Sequence, residues 1–155
     1  YLGFSADKSA MIFTVASFGI ATSAFIAIFL YERLRRNMDL TLLISFVAAT
    51  VFFLVAYFVK QPVINIVALV LAIIGGDSAA TMLWSRYCPS LRDTGMVSGA
   101  TGFLDFMSYM AAALSSTLFA NSVSAIGWGN LILIWAGLMA IGVIISINPE
   151  RLKNK

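Results

Sequence analysis

Five long apolar segments alternate with short polar segments along the chain. Each is about long enough to cross the hydrocarbon core of a bilayer as a helix, which takes roughly 20 residues. The segments are Ser9–Leu30, Leu40–Val59, Val63–Trp84, Gly95–Ala120 and Leu131–Ile147. The pattern predicts an all-α, polytopic membrane protein, with five transmembrane helices in a single membrane domain that covers residues 1–155.

The fourth segment differs from the others because it carries an acid, Asp105, close to its middle. An Asp at the centre of a membrane helix costs roughly 2.5–3.5 kcal/mol, so such residues usually face a bundle interior or a watery path. Small and polar residues share its helix face, namely Ser98, Thr101, Gly102, Ser108, Tyr109, Ala112 and Ser116. We expect Asp105 to bind a cationic or hydroxylated substrate or to carry a coupling proton. The alternative is a buried acid that Ser, Thr or Tyr of a neighbouring helix satisfies.

A second acid, Asp77, follows two glycines in the third segment. Its helix face is mostly apolar, with Thr81 as the polar exception, so two roles stay open: helix packing or a salt bridge, and a place in a cavity. The first, third and fourth segments carry the Ser, Thr and Gly residues and both acids. We expect these three to line an interior surface, and the nearly pure hydrocarbon second and fifth segments to face lipid.

Basic residues are concentrated in alternate polar segments. The chain is 61% hydrophobic and 11% charged, with a net charge of +3. The basic side is formed by Arg33, Arg35, Arg36, Arg86, Arg92, Arg151, Lys153 and Lys155, whereas the other side has only Lys8 and Lys60. By the positive-inside rule the basic side is cytoplasmic. This predicts a multi-pass protein of the cell (inner) membrane, with its N-terminal end outside and its C-terminus in the cytoplasm.

The composition argues against an enzyme. The chain has one Cys and no His, which removes the commonest general base and metal ligand. No Ser/His/Asp, Cys/His or metal-ligand set can be assembled, so we expect no catalytic residues, no metal and no cofactor. The basic residues fit membrane topology, so no nucleic-acid partner is expected. The expected partners are the lipid bilayer and a small-molecule solute. Because the first residue is Tyr rather than Met, we expect a fragment of a longer protein.

Three stretches resemble the last five helices of a twelve-helix major facilitator superfamily transporter. The beginning of the chain, Tyr1-Leu2 followed by Asp7-Lys8-Ser9, resembles the exit of the seventh helix into the eighth. The run Glu32-Arg33-Leu34-Arg35-Arg36 stands where the superfamily has its loop motif Gly-x-x-x-Asp-Arg-x-Gly-Arg-Arg. Here Ile28, Glu32 and Arg35 replace the first Gly, the Asp and the second Gly. The stretch 95–103, with the later pair Gly127-Trp128, resembles the eleventh helix and the following outer loop.

The closest likeness is to the organophosphate:phosphate antiporter, or sugar-phosphate permease, group. It implies half of a secondary active transporter that moves a small polar organic solute, such as an organophosphate or sugar derivative, by alternating access. The missing N-terminal half of the same transporter is then a further partner. The phosphate-binding arginines of that group lie on its first and seventh helices, which this sequence lacks, so no phosphate site is transferred.

The sequence thus provides two sets of candidate residues. The substrate or proton pathway candidates are Asp105, Asp77, Ser98, Thr101, Tyr109, Ser108 and Thr81. The cytoplasmic loop motif is Glu32, Arg33, Arg35 and Arg36. The alternative function is a self-sufficient five-span membrane protein that forms an oligomeric channel or serves as a structural subunit.

Overall fold

The chain folds into helices joined by very short connections. The structure is a computed structural model that describes residues 5–147, without the side chains at positions 120 and 121. The helices are α1 (Ala6–Ala21), α2 (Ser23–Arg33), α3 (Met38–Phe58), α4 (Pro62–Met82), α5 (Cys88–Ser90) and α6 (Val97–Ser146). A π-helical turn, Leu83–Tyr87, joins α4 to α5, and a 3-10 turn, Arg92–Thr94, follows. Residues 5–147 contain no strand, which confirms the predicted all-α fold.

Four helical stretches are long and apolar enough to cross a membrane. They are Ala6–Arg33, Met38–Phe58, Pro62–Ser90 and Ser122–Ser146, and they indicate a multi-pass membrane protein. They overlap the first, second, third and fifth predicted spans. The predicted fourth span is helical from Val97 onward but is not among these four stretches.

Two of the predicted loops are shorter in the structure than the sequence predicts. The segment Ser85–Thr94 remains helical as far as Ser90. Pro89 is compatible with this because it stands in the first turn of α5, where its missing N–H breaks no hydrogen bond. Within the predicted polar loop Asn121–Asn130, two helical stretches, which we together call α6, meet at a kink at Gly127, whose backbone is not helical. The loop is therefore reduced to the kink at Gly127.

Helix α6 consists of two arms on either side of Gly127. We call residues 97–126 the long arm and residues 128–146 the short arm. At 1.5 Å per residue these are about 45 Å and about 28 Å long. Only the short arm matches the hydrocarbon thickness of about 30 Å.

Small side chains hold α3 and α4 together. They are Thr41, Ser45, Ala49 and Ala56 on α3, and Ala68, Ala72, Gly75 and Ala79 on α4, all buried. Their spacing of three, four or seven residues puts them on one face of each helix. Small residues at such spacing let two backbones approach closely. The approach is tightest at Gly75, where an added β-carbon would lie 3.0 Å from the Ala49 nitrogen and from the Ser45 oxygen.

The short arm completes the core of the bundle. Ile132 and Ala136 pack with Phe53 in one buried cluster. Farther along, a β-carbon at Gly142 would overlap the ring of Phe46 at 2.6 Å. The second and fifth predicted spans therefore each bury one face in this core. Only their outward faces are exposed and apolar, which restricts the expectation of lipid contact to that side.

Polar side chains fix the helix ends. Asn37 and Gln61 cap the N-termini of α3 and α4, since their side-chain oxygens accept hydrogen bonds from the backbone N–H groups of Leu40 (3.1 Å) and Ile64 (2.7 Å). Asn65 is fully buried, and its Nδ2 donates to the backbone oxygens of Ala56 and Val59. These carbonyls end α3 and have no partner within the helix, so Asn65 closes the connection between α3 and α4.

We expect Gly75→Ala to lower the free energy of unfolding by about 1–3 kcal/mol, because the added methyl group meets backbone atoms that cannot give way. The matched control is Gly102→Ala, whose β-carbon meets no atom within 4 Å. This control should leave stability unchanged or raise it by up to about 1 kcal/mol. Thermal unfolding in detergent micelles, followed by circular dichroism, provides the comparison. Equal losses of stability in the two variants would contradict the close approach of α3 and α4 at Gly75.

Candidate functional site

A continuous groove runs along one side of α4. One part, of about 510 Å³, lies between α1, α4 and the short arm. A second part, of about 530 Å³, lies between α3, α4 and the short arm. Leu69, Ile73 and Trp135 line both parts, so the two join into one surface that we call the α4 groove.

Asp77 is the one ionisable side chain among the described residues that line the α4 groove. It lies beside an aromatic wall. The rings of Phe53 and Trp135 are 5.9 Å apart at an interplanar angle of 48°. On the other side Phe119 meets Trp135 edge-on, at 5.6 Å and 88°. The groove thus combines one carboxylate with a fixed aromatic surface.

The groove reaches about half of the bundle's depth at Asp77. Its neighbour Gly76 faces Met139 of the short arm, where an added β-carbon would lie 3.8 Å from the Met139 sulfur. Met139 is about 18 Å of helix from Gly127, which is roughly the middle of a 30 Å hydrocarbon core. An acid at this depth is away from both ends of the bundle.

The candidate pathway residues on the fourth predicted span do not lie in the α4 groove. Asp105, Ser98, Ser108 and Tyr109 are exposed on the long arm, and Thr101 is half-buried there. Asp105 is about 33 Å of helix from Gly127, which is more than the full length of the short arm. The structure therefore does not bring Asp105 to Asp77. Thr81, one turn of α4 beyond Asp77, is half-buried, and its backbone oxygen accepts a hydrogen bond from Ser85 Oγ at 2.6 Å.

Gly95, Gly99 and Gly102 have the spacing that small residues show at close helix crossings, but they form no such crossing with the described part of the chain. At Gly95, Gly99 and Gly102 an added β-carbon would meet no atom within 4 Å. In the described part of the chain the close crossings lie at Gly75 and Gly142 instead.

Gly127 is the hinge between the two arms of α6. Its backbone has φ 77° and ψ 162°, a region that is essentially open to glycine alone. The bend lets Phe119 on the long arm contact Trp135 on the short arm. Gly127 therefore holds one end of the long arm next to the α4 groove.

We expect Gly127→Ala to straighten α6, because alanine disfavours the hinge conformation by of order 1–3 kcal/mol. Spin labels at the exposed positions Leu114 and Leu138, in a Cys88→Ala background, report the separation of the arms. Double electron–electron resonance should show longer distances between the two spin labels in Gly127→Ala. The control Gly137→Ala, in helical backbone with open space around it, should leave the distances unchanged. An unaltered distance distribution in Gly127→Ala would contradict the role of Gly127 as a hinge.

The predicted loop motif forms a tight turn at the other end of the bundle. Arg33 ends α2, and Arg35 and Arg36 have positive φ angles of 56° and 59°. The Arg36 N–H donates to the Tyr31 oxygen (2.9 Å), and the Arg35 N–H donates to the Glu32 oxygen (3.2 Å). This is the Schellman pattern of a helix end, whose left-handed position is usually glycine.

A cation–π contact joins this turn to the end of α4. The Arg86 guanidinium lies 4.8 Å from the centre of the Tyr31 ring. The first two basic segments predicted to share one side thus meet at one end of the bundle. The third basic segment, with Arg151, Lys153 and Lys155, lies outside the described residues, as do Tyr1 and Leu2.

We expect Arg35→Gly to raise the free energy of unfolding by about 1 kcal/mol, because a left-handed conformation costs a residue with a β-carbon roughly 1–2 kcal/mol. The control Arg33→Gly removes a neighbouring arginine from helical backbone and should lower stability by about 1 kcal/mol. Thermal unfolding of both variants separates backbone strain from charge. A loss of stability in Arg35→Gly would contradict this account.

Several groove residues are not among the sequence-based candidates. Trp135 is expected to face lipid, yet the structure places it in the groove. The sequence signal for this position is weak, because an aromatic residue in an apolar helix is equally compatible with a lipid-facing surface and with a groove.

Among residues 5–147 no group of three or more His, Cys, Asp or Glu side chains could hold a metal ion. No protein-family model, curated protein or solved structure matches the chain.

Proposed function

We propose that the chain forms part of a secondary active transporter of the major facilitator type. It would move a small polar organic solute by alternating access, with the α4 groove as part of its solute pathway. The observation that carries this proposal is Asp77, a carboxylate at half depth in a groove of otherwise apolar, aromatic and hydroxyl side chains. Ionisable residues at membrane depth commonly mark substrate or ion pathways. The volume of each groove part also falls within the usual range for small-molecule sites, about 300–1,000 Å³.

The turn after α2 supports the resemblance to this superfamily. Arg35 stands where the superfamily's loop motif has its second glycine, and it has the left-handed backbone that glycine favours. A turn of this shape explains why a glycine would be suitable at that position. On this proposal the end of the bundle with Arg33 and Arg86 faces the cytoplasm, and the Lys60 end faces outward.

Cysteine labelling tests the pathway without knowledge of the solute. Ile73→Cys places a thiol in the α4 groove, and Leu71→Cys places one in an apolar cavity between α1 and α4. The native side chains are 40% and 36% exposed, and the two positions differ in depth by about 3 Å. This makes them a matched pair.

We expect N-ethylmaleimide to modify Ile73→Cys at least about tenfold faster than Leu71→Cys, because a maleimide reacts with the thiolate, which forms where water reaches the thiol. The measurement uses the protein at its natural length in membrane vesicles, in a Cys88→Ala background. Equal and slow reaction at both positions would show that water does not reach the α4 groove, and the proposed pathway would be abandoned.

The exposed long arm favours a second candidate function, an oligomeric channel or structural subunit. Asp105 and Ser108 on one face, and Met107 and Met110 on the other, are all exposed. An acid-bearing face needs a protein partner or water when it lies in a membrane, and further copies of the chain would supply that partner. If this alternative is correct, N-ethylmaleimide should react rapidly with Ser108→Cys and slowly with Ile73→Cys in the same experiment.

A further inference from the structure

Among the described residues, the lining of the α4 groove contains one acidic side chain and no basic one. Asp77 is its one ionisable group among the described residues. Two cations at the ends of the neighbouring helices are engaged elsewhere. Arg86 lies over Tyr31 at one end of the bundle, and Lys60 lies 5.2 Å from the centre of the Tyr57 ring at the other. An anionic solute would therefore meet repulsion from Asp77 and no compensating charge in the described lining.

The aromatic wall beside Asp77 complements a cation. The face of a tryptophan ring attracts cations more strongly than the faces of other aromatic side chains. Trp135 contacts both Phe53 and Phe119, at centroid distances of 5.9 and 5.6 Å, and these contacts restrict its ring before any ligand arrives. Preorganisation of this kind reduces the entropy lost on binding.

The remaining groove side chains suit apolar substituents. Leu69, Ile73 and Met139 line the space around Asp77, and Gly76 adds no side chain next to it. A small, strongly hydrated cation would gain nothing from these surfaces, because it would lose its water without replacement ligands. A cation with apolar or aromatic groups around its charge would bury those groups against them.

We propose that the α4 groove binds a monovalent organic cation with apolar substituents, of the quaternary ammonium or phosphonium class. Asp77 serves as the counter-ion, and Trp135 with Phe53 forms the aromatic wall. This inference deepens the proposed function and rests on the α4 groove being the solute pathway. It also assigns a substrate class opposite in charge to the organophosphates that the sequence resemblance suggests.

Tetraphenylphosphonium is the probe that tests this inference. Equilibrium dialysis of the radiolabelled cation against the purified protein, at its natural length in lipid nanodiscs, measures the Kd, with empty nanodiscs as the correction for partitioning. We expect Asp77→Asn to raise the Kd by about tenfold or more, and Trp135→Leu to raise it by about tenfold. Asp77→Glu, which keeps the charge, should stay within about threefold of the wild type.

The matched control is Asp105→Asn, the same substitution on the exposed long arm, which should leave the Kd unchanged. Triphenylphosphine oxide, a neutral analogue, should bind weakly and with no dependence on Asp77. Equal Kd values for the wild type and Asp77→Asn would overturn the proposal, and so would equally tight binding of the neutral analogue. Maleimide labelling of Ile73→Cys is independent of ligand charge. Rapid labelling without Asp77-dependent cation binding would therefore reject the substrate class while retaining the pathway.

Discussion

The close approach of α3 and α4 is the contact on which the rest of the bundle depends. Within a bilayer the hydrophobic effect does not drive one apolar helix against another, so van der Waals packing between small residues supplies much of the attraction. Ser45 and Ala49 opposite Gly75 bring the two backbones together. With that pair fixed, the short arm packs against Phe53 and Phe46, and the space left along α4 becomes the groove that holds Asp77.

The periodic apolar segments predicted helices at the right places because a membrane span needs a minimum length of apolar sequence. The start of α4 was also predictable, since Pro62 stands in its first turn. The position of the break within the segment 121–130 was not predictable, because a polar run signals exposure along its whole length. Gly127 alone adopts a conformation that ends a helix there, and a glycine in a membrane sequence is equally compatible with a close crossing.

A similar ambiguity applies to the two acids. Ser, Thr and Tyr share the helix face of Asp105, whereas the face of Asp77 is mostly apolar. A helical wheel shows what lies on the same helix and says nothing about the helices opposite. The surroundings of Asp77 are supplied by Phe53 and Trp135 from α3 and the short arm, at sequence distances that no local pattern connects. The aromatic neighbours of Asp77 therefore become evident only from the packing of the helices.

An apolar groove with one carboxylate has a direct consequence for selectivity. The carboxylate attracts a cation that enters the groove, whereas an anion meets repulsion. The aromatic rings act in the same direction, because the electrostatic attraction of their faces is for cations only. If the α4 groove is the solute pathway that we propose, Asp77 and Trp135 would select for the same charge by independent physical means. A transporter that instead carries phosphate esters would need arginines close enough to reverse the sign of this groove.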